Sequence, residues 1–369
     1  MAALGLAAAV AAAARDQGRY DESHFEGDGL ANEADIQASL SNGGKGAVNT
    51  DVVEDTLPEA ELQTDELVLR PCSGESSPEG SGSGGGGSGR GGGELVLSLM
   101  HVRDPSVMHK YAKHQKTKCN LWARMWSSSS LLAEILIADG VREHLSDVSA
   151  IEIGAGMAVC ALTAAVRGGA KIMVTDSSDH ALDLVKGSAR LNGVADSLSC
   201  SRMDWHSSSS VSGVAVQGGP YEFVIGSDVL FASMNVQPIV KAIIELLAPG
   251  GLAVVIDPGR LSGEGFDEAA REAGLEAEVY EASDVAMSDG SVMRKGVLFL
   301  LTSSSDKDTE RTAALKRGLV GTWGWVAENR AGAEAAAEGE GGFGYAYTHE
   351  WAAKTAGGRD PDIPPRAVR

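Results

Sequence analysis

The chain has 369 residues and a formal net charge of −20. So acidic a chain repels phosphate backbones, which argues against a general nucleic-acid binder. Cys72, Cys119, Cys160 and Cys200 form no C-x-x-C pair and no dense framework, so a reducing, intracellular setting is expected, with Cys160 and Cys200 as small core residues.

The alanine-rich start lacks a basic n-region and meets acidic residues from Asp16 onward, which argues against a secretory or transit peptide. No stretch is long and apolar enough to span a bilayer. The expectation is a cytoplasmic, monomeric protein without membrane or nucleic-acid partners. Residues 1–93 carry 5 basic and 16 acidic side chains and end in the run SGSGGGGSGRGGG, so they read as a disordered acidic extension with a flexible linker. Residues 94–304 read as the folded domain, and 305–369 as a low-complexity tail. The stretch HKYAKHQKTK at 109–118 reads as a solvated basic surface. His101, His109 and His114 show no metal-ligand arrangement and read as surface histidines; no metal is expected.

The domain opens with a strand at 94–102. Apolar residues at helical spacing follow at 129–145, with Gly140 ending or interrupting that helix. Strands are then expected at 149–153, 171–176, 197–203, 222–230 and the segment LAVVIDPG, separated by helices at about 158–167, after Ser178, across VQPIVKAIIELL, and around 264–274. Two last strands are expected at 276–282 and 295–303. Strands alternating with helices of this length mean βαβ units, and hence a doubly wound α/β fold with a mainly parallel sheet.

Ligands of such sheets bind beyond the carboxyl ends of the strands. The residues ending the five parallel strands are Glu152, Gly154 and Gly156; Asp176; Asp204 and Trp205; Ser227 and Asp228; and Asp257 with Arg260. The two glycines let the backbone approach a ligand, and the helix start beyond them offers free N–H groups. Asp176, twenty residues past Gly156, stands where an acid accepts both hydroxyls of a ribose. A dinucleotide fingerprint would place a third glycine near Val159, where none occurs. Glu152 suits the ammonium or sulfonium of S-adenosylmethionine and would repel a pyrophosphate. Plainer readings stand beside these: Trp126 and Trp205 as core aromatics, Asp204 and Asp228 as turn or strand-end caps.

MWSSSSLLAEIL, IEIGAGMAV, VTDSSDHALDLVKGSARLNG, MDW, GSDVLF and LLAPGGLAVVIDPGR occur in the order found in the lysine-methyltransferase-like family of class I methyltransferases, which the chain resembles over roughly residues 120–303. The departure is MWSSSS, where the family usually has a proline after Trp126. The resemblance implies a seven-stranded Rossmann-like sheet and S-adenosylmethionine as cofactor. It implies Trp126 beside the methionine moiety, with Gly154 and Gly156 lining it and Ser227 near by. It further implies Asp176 on the ribose and Asp204 with Trp205 at the adenine. Asp228 and Phe231 fit the family's acid-x-x-aromatic motif and are expected at the catalytic, substrate end, the acceptor being a protein lysine. The rival readings are an NAD(P)-binding oxidoreductase and a non-catalytic scaffold of the same fold.

Overall fold

The computed structural model describes residues 61–72, 93–103, 121–288, 290–303 and 309–330. The linker run at 81–92, the basic stretch at 109–118 with His109 and His114, and most of both terminal extensions lie outside the described residues.

A two-stranded hairpin comes first. β1 (Leu62–Leu69) pairs antiparallel with β2 (Leu95–Val102), in a register that sets Leu67 opposite Leu97. β1 corrects the expectation that everything before residue 94 lacks order. Period-2 alternation buries Leu67, Leu69, Leu95, Leu97 and Leu99 against the domain while the other face stays wetter. His101 also departs from its reading as a surface histidine. Its side chain is fully buried, with Nε2 2.8 Å from Asp65 of the paired strand.

The domain proper alternates helix and strand. α1 (Ser127–Leu136) and α2 (Asp139–Arg142) are separated by a short break, with Gly140 inside α2. Then come β3 (Ser149–Ile153), α3 (Val159–Thr163, prolonged by a π-helical turn to Gly168), β4 (Lys171–Asp176), α4 (Asp179–Leu191) and β5 (Leu198–Arg202). They are followed by α5 (Ser208–Gly218), β6 (Tyr221–Ser227), α6 (Val236–Leu246), β7 (Leu247–Asp257), α7 (Phe266–Glu272), β8 (Leu275–Ala286) and β9 (Val292–Ser303). Ser178 and Ser207 cap α4 and α5, each Oγ accepting the N–H three residues on.

The seven strands run in the order β5-β4-β3-β6-β7-β9-β8. β3 to β7 are mutually parallel and β9 is antiparallel to both of its neighbours. The chain starts in the middle at β3, winds outward to β5, and returns to β6 on the other side of β3. The switch point therefore lies between β3 and β6, where Ile153 pairs with Gly226. Helices cover both faces, so β6 and β7 are almost continuously buried and read as apolar runs rather than alternating patterns.

A last helix, α8 (Glu310–Asn329), corrects the expectation of a low-complexity tail from residue 305. Thr309 caps it, its Oγ1 accepting from Thr312 N at 3.0 Å, and Thr312 Oγ1 donates to Gly250 O in the β7 turn at 2.6 Å. Leu315, Leu319, Trp323 and Val326 form its buried stripe in the same core as α1 and the sheet. Gly318 meets Gly140 of α2 so closely that a Cβ built there would overlap the Gly140 carbonyl. Hairpin and last helix meet at Glu134, buried in α1. Its Oε1 accepts from Arg70 N at 3.4 Å, and its Oε2 pairs with Arg330 Nη1 at 2.5 Å.

Gly318→Ala tests this docking. Overpacking at a backbone-to-backbone contact should lower stability by about 1–3 kcal/mol, read as a fall in the thermal midpoint. A midpoint equal to or above the wild-type value would show that α8 does not seat on α2.

Candidate active site

The turn after β3 is built on left-handed backbone. Gly154, Gly156 and Ala158 have φ of +59°, +52° and +54°, the first two being positions where a side chain would be strained. Sterics also require Gly154: a Cβ there would lie 2.6 Å from the Trp205 ring. At Gly156 it would lie 3.3 Å from the Trp122 carbonyl. The glycines thus bring backbone flush against the Trp205 ring and the Trp122 main chain at the switch point.

Asp176, ending β4, closes this turn from the next strand. Its Oδ2 accepts from Gly156 N at 2.9 Å and its Oδ1 from Ser178 N at 2.8 Å. Burial raises its pKa, while backbone donors from Ser178, Gly156 and Ser177 pull the other way. Each oxygen retains a lone pair beyond these bonds, so the carboxylate can still accept from a ligand hydroxyl.

Glu152 is turned inward. Its Oε2 accepts from Ala161 N at 2.8 Å, in the first turn of α3, and its Oε1 is buried without a partner. Burial pushes its pKa up to about 8, with Asp176 adding in the same direction. One wall beside it is polar and small: Ser227 Oγ lies 2.9 Å from Ser129 Oγ of α1, and the Cys160 thiol 4.0 Å from the same Ser227 oxygen.

The β6 end holds Asp228 at φ +57°, its N–H bonded to Ile256 O at 3.0 Å. The Asp228 side chain is 5% exposed; Oδ1 pairs with Arg260 Nη2, and Oδ2 is buried without a partner. Arg260 turns its other arm to Asp257, Nη1 to Oδ2 at 3.1 Å, while its N–H donates to Asp257 Oδ1 at 2.8 Å. Its guanidinium carbon stands 5.7 Å from the centre of the Trp126 ring. Trp126, which precedes α1, is fixed by an Nε1 hydrogen bond to Leu121 O at 3.1 Å. Burial raises the pKa of Asp257, and Arg260 opposes that rise.

Of the residues expected from the sequence, Glu152, Gly154, Gly156 and Asp176 gather at the β3 and β4 ends. Trp126, Ser227 and Asp228 meet at the β6 end. Trp205 and Phe231 join across the mouth, ring centres 6.4 Å apart. Asp204 is engaged as a turn cap, its Oδ1 accepting from His206 N at 2.9 Å. Sequence reasoning placed Arg260 at a strand end without giving it a role, and overlooked Ser129 and Trp122. The spacing Asp257-x-x-Arg260 was readable as a local ion pair, but the reach to Asp228 was not. Among the described residues no group of three or more His, Cys, Asp or Glu could hold a metal, and no helix is long and apolar enough to cross a membrane.

The buried Glu152 makes stability pH-dependent. Folding keeps it protonated up to about pH 8, whereas the unfolded chain releases that proton near the ordinary value of 4.5. The unfolded state therefore gains relative to the folded one as pH rises through this window. Glu152→Gln removes the effect: the variant's thermal midpoint should gain on wild type between pH 5 and pH 8.5. A midpoint difference independent of pH would mean that Glu152 is ionised in the fold.

Residues 108–258 match the family model described as lysine methyltransferase. No curated protein sequence matches the chain. Among solved structures, a precorrin-6y C5,15-methyltransferase from Geobacter metallireducens is similar at 14% identity, over 48% of this chain and 87% of its own, with a TM-score of 0.36. A putative sarcosine dimethylglycine methyltransferase from Galdieria sulphuraria is similar at 14% identity, over 48% and 85%, with a TM-score of 0.38. An O-methyltransferase from Bacillus cereus in complex with SAH is similar at 12% identity, over 50% and 84%, with a TM-score of 0.36. The matched segment contains the glycine turn, Asp176, Asp228 and Asp257, and over it this chain is similar to the lysine methyltransferase family of S-adenosylmethionine-dependent methyltransferases.

Proposed function

We infer that the chain transfers a methyl group from S-adenosylmethionine to the side-chain amine of a protein lysine. The observation that carries this reading is Asp228 Oδ2, a buried carboxylate oxygen without a donor, on the strand that flanks the glycine turn. An incoming amine supplies the missing donor, and the family description names lysine.

The residues fit the cofactor on two counts. The left-handed turn at Gly154 and Gly156 carries no side chain of its own at the switch point, so its backbone can approach a ligand closely. The unpaired buried oxygen of Asp228 suits a ligand carrying positive charge, and Glu152, held protonated by burial, can release its proton to meet one. Asp176 would hold the ribose, Trp205 would flank the adenine, and Glu152, Trp126 and Ser227 would border the methionine end, with Asp204 fixing the turn that presents Trp205. When bound, S-adenosylmethionine supplies an activated methyl group on sulfonium and leaves as S-adenosylhomocysteine.

The protein's own part is alignment and desolvation, which together lower the barrier of an in-line displacement. Asp228 Oδ2 accepts one amine N–H and so aims the nitrogen lone pair toward the cofactor. Phe231 walls the entry with an aromatic face, which excludes water and favours the neutral amine over the ammonium.

Two measurements test the reading. Calorimetry of the purified chain should show binding of S-adenosylmethionine and not of NADH; the reverse result would end the methyltransferase assignment. A lysate incubated with methyl-labelled cofactor and the chain should yield label on lysine by mass spectrometry, and label confined to a small molecule or to another side chain would overturn the lysine acceptor. Asp176→Ala should weaken cofactor binding by roughly 1.5–3 kcal/mol, the range of a lost charge-assisted hydrogen bond. An unchanged dissociation constant in a folded Asp176→Ala variant would remove Asp176 from the site.

A further inference from the structure

We propose that Arg260 is the specificity-determining counter-charge of the acceptor end: by bridging Asp228 and Asp257 it lets Asp228 receive a neutral amine instead of trapping it as ammonium. The proposal rests on the methyl-transfer reading above and concerns a residue that reading does not use.

The physical difficulty is one of sign. Methyl transfer needs the amine's lone pair, and a nearby carboxylate favours the protonated amine, which has none. Asp228 and Asp257 together would bring two negative charges to the mouth of the site. Arg260 reduces these to a net −1. It does so by direct pairing with both carboxylates, and its own backbone N–H fixes Asp257. The guanidinium is held over the Trp126 ring and is 24% exposed, so it cannot swing freely into solvent. Arginine suits this post because it stays charged at any relevant pH and presents a rigid fork to two acceptors. What remains is one unpaired, buried oxygen, Asp228 Oδ2, facing the place of a single N–H donor.

The other titratable groups around Asp228 come from different elements. Cys160 on α3 feels both Glu152 and Asp228, and burial raises its pKa well above the thiol range, so it stays neutral. Glu152 on β3 is held protonated to about pH 8 by burial. Neither adds negative charge at neutral pH. Among the described residues the balance at Asp228 is therefore set by Asp257 and Arg260, and the acceptor it fits is an amine that presents one N–H to Asp228 Oδ2.

The test needs no acceptor. In one analogue of the cofactor an amine-bearing carbon replaces the methylsulfonium and places a cation where the methyl group would be. The readout is its affinity relative to S-adenosylhomocysteine, measured by calorimetry at pH 7.5. Arg260→Gln should raise that preference about tenfold, because the cation then faces two uncompensated carboxylates. Arg260→Lys keeps the charge but loses the fork, and should stay within about twofold of wild type. Asp257→Asn should lower the preference, which supplies the answer should Arg260→Gln not fold. If Arg260→Gln leaves the preference unchanged, or Arg260→Lys moves it equally, the counter-charge role is wrong and the bridge only shapes the loop. A wild-type chain that binds neither compound would instead overturn the methyl-transfer reading, and this proposal with it.

Discussion

Four carboxylates lie buried along the carboxyl edge of one sheet, and the site follows from how each is satisfied. Glu152, Asp176, Asp228 and Asp257 are all buried. Charges removed from water cost several kcal/mol each unless donors replace the lost hydration. A parallel sheet supplies such donors at this edge, because every strand leads into a turn and a helix start with free N–H groups. Asp176 uses two of them, and in doing so locks the glycine turn of β3 to the turn of β4. Glu152 uses one, from α3, and leaves its second oxygen empty. At the β7 end one backbone donor, Arg260 N, reaches Asp257, and the Arg260 guanidinium supplies the rest for Asp257 and Asp228.

This frame is held in position from behind by a further buried carboxylate. Glu134 sits in α1, the helix that begins beside Trp126 and carries Ser129 to the site. Its carboxylate receives the chain from β1 through Arg70 N and the end of α8 through Arg330. The backbone of Cys72 is drawn to the same residue, bonding Glu134 O at 3.3 Å. Segments from before and after the seven-stranded sheet thus converge on the helix that sets one wall of the site, and the Asn192 side chain bonds the Ser98 backbone to seat the hairpin on α4.

The parallel core was legible because both of its signals are local. SAIEI and KIMVTD are apolar or β-branched runs that end at polar strand termini, and they form β3 and β4 with the expected bounds. β1 was hidden by its setting: LQTDELVL alternates well enough, but it lies in an acidic, glycine-rich stretch, and its partner strand is about thirty residues away. α8 was hidden by Gly318, Gly321 and Gly324, which lower helix propensity; Gly318 is needed for the close approach to Gly140. Its stripe Leu315-Leu319-Trp323-Val326 was nonetheless present at helical spacing. At the site, the strand-end acids were readable one by one. The bridge from Arg260 to Asp228 spans 32 residues of sequence and depends on β6 and β7 lying side by side, which only the fold supplies.

The two halves of the edge therefore answer charge differently. At β3 and β4 the donors are backbone dipoles fixed in place, so a change in the charge presented to Glu152 is met by its own protonation. At β6 and β7 the donor is a full positive charge on a side chain, so the local balance can be held without any proton moving. In the proposed reaction a cationic cofactor and an amine that must be neutral make opposite electrostatic demands, which a single set of carboxylates could not serve. Placing the proton-responsive acid at the switch point and the permanently compensated pair one strand away separates the two demands by the width of the sheet's own spacing, about 5 Å. The glycine turn lies between them, with Val229 at 3.1 Å from where a Gly154 side chain would begin. With no side chain of its own, Gly154 lets the Trp205 ring and Val229 close against the backbone between the two halves.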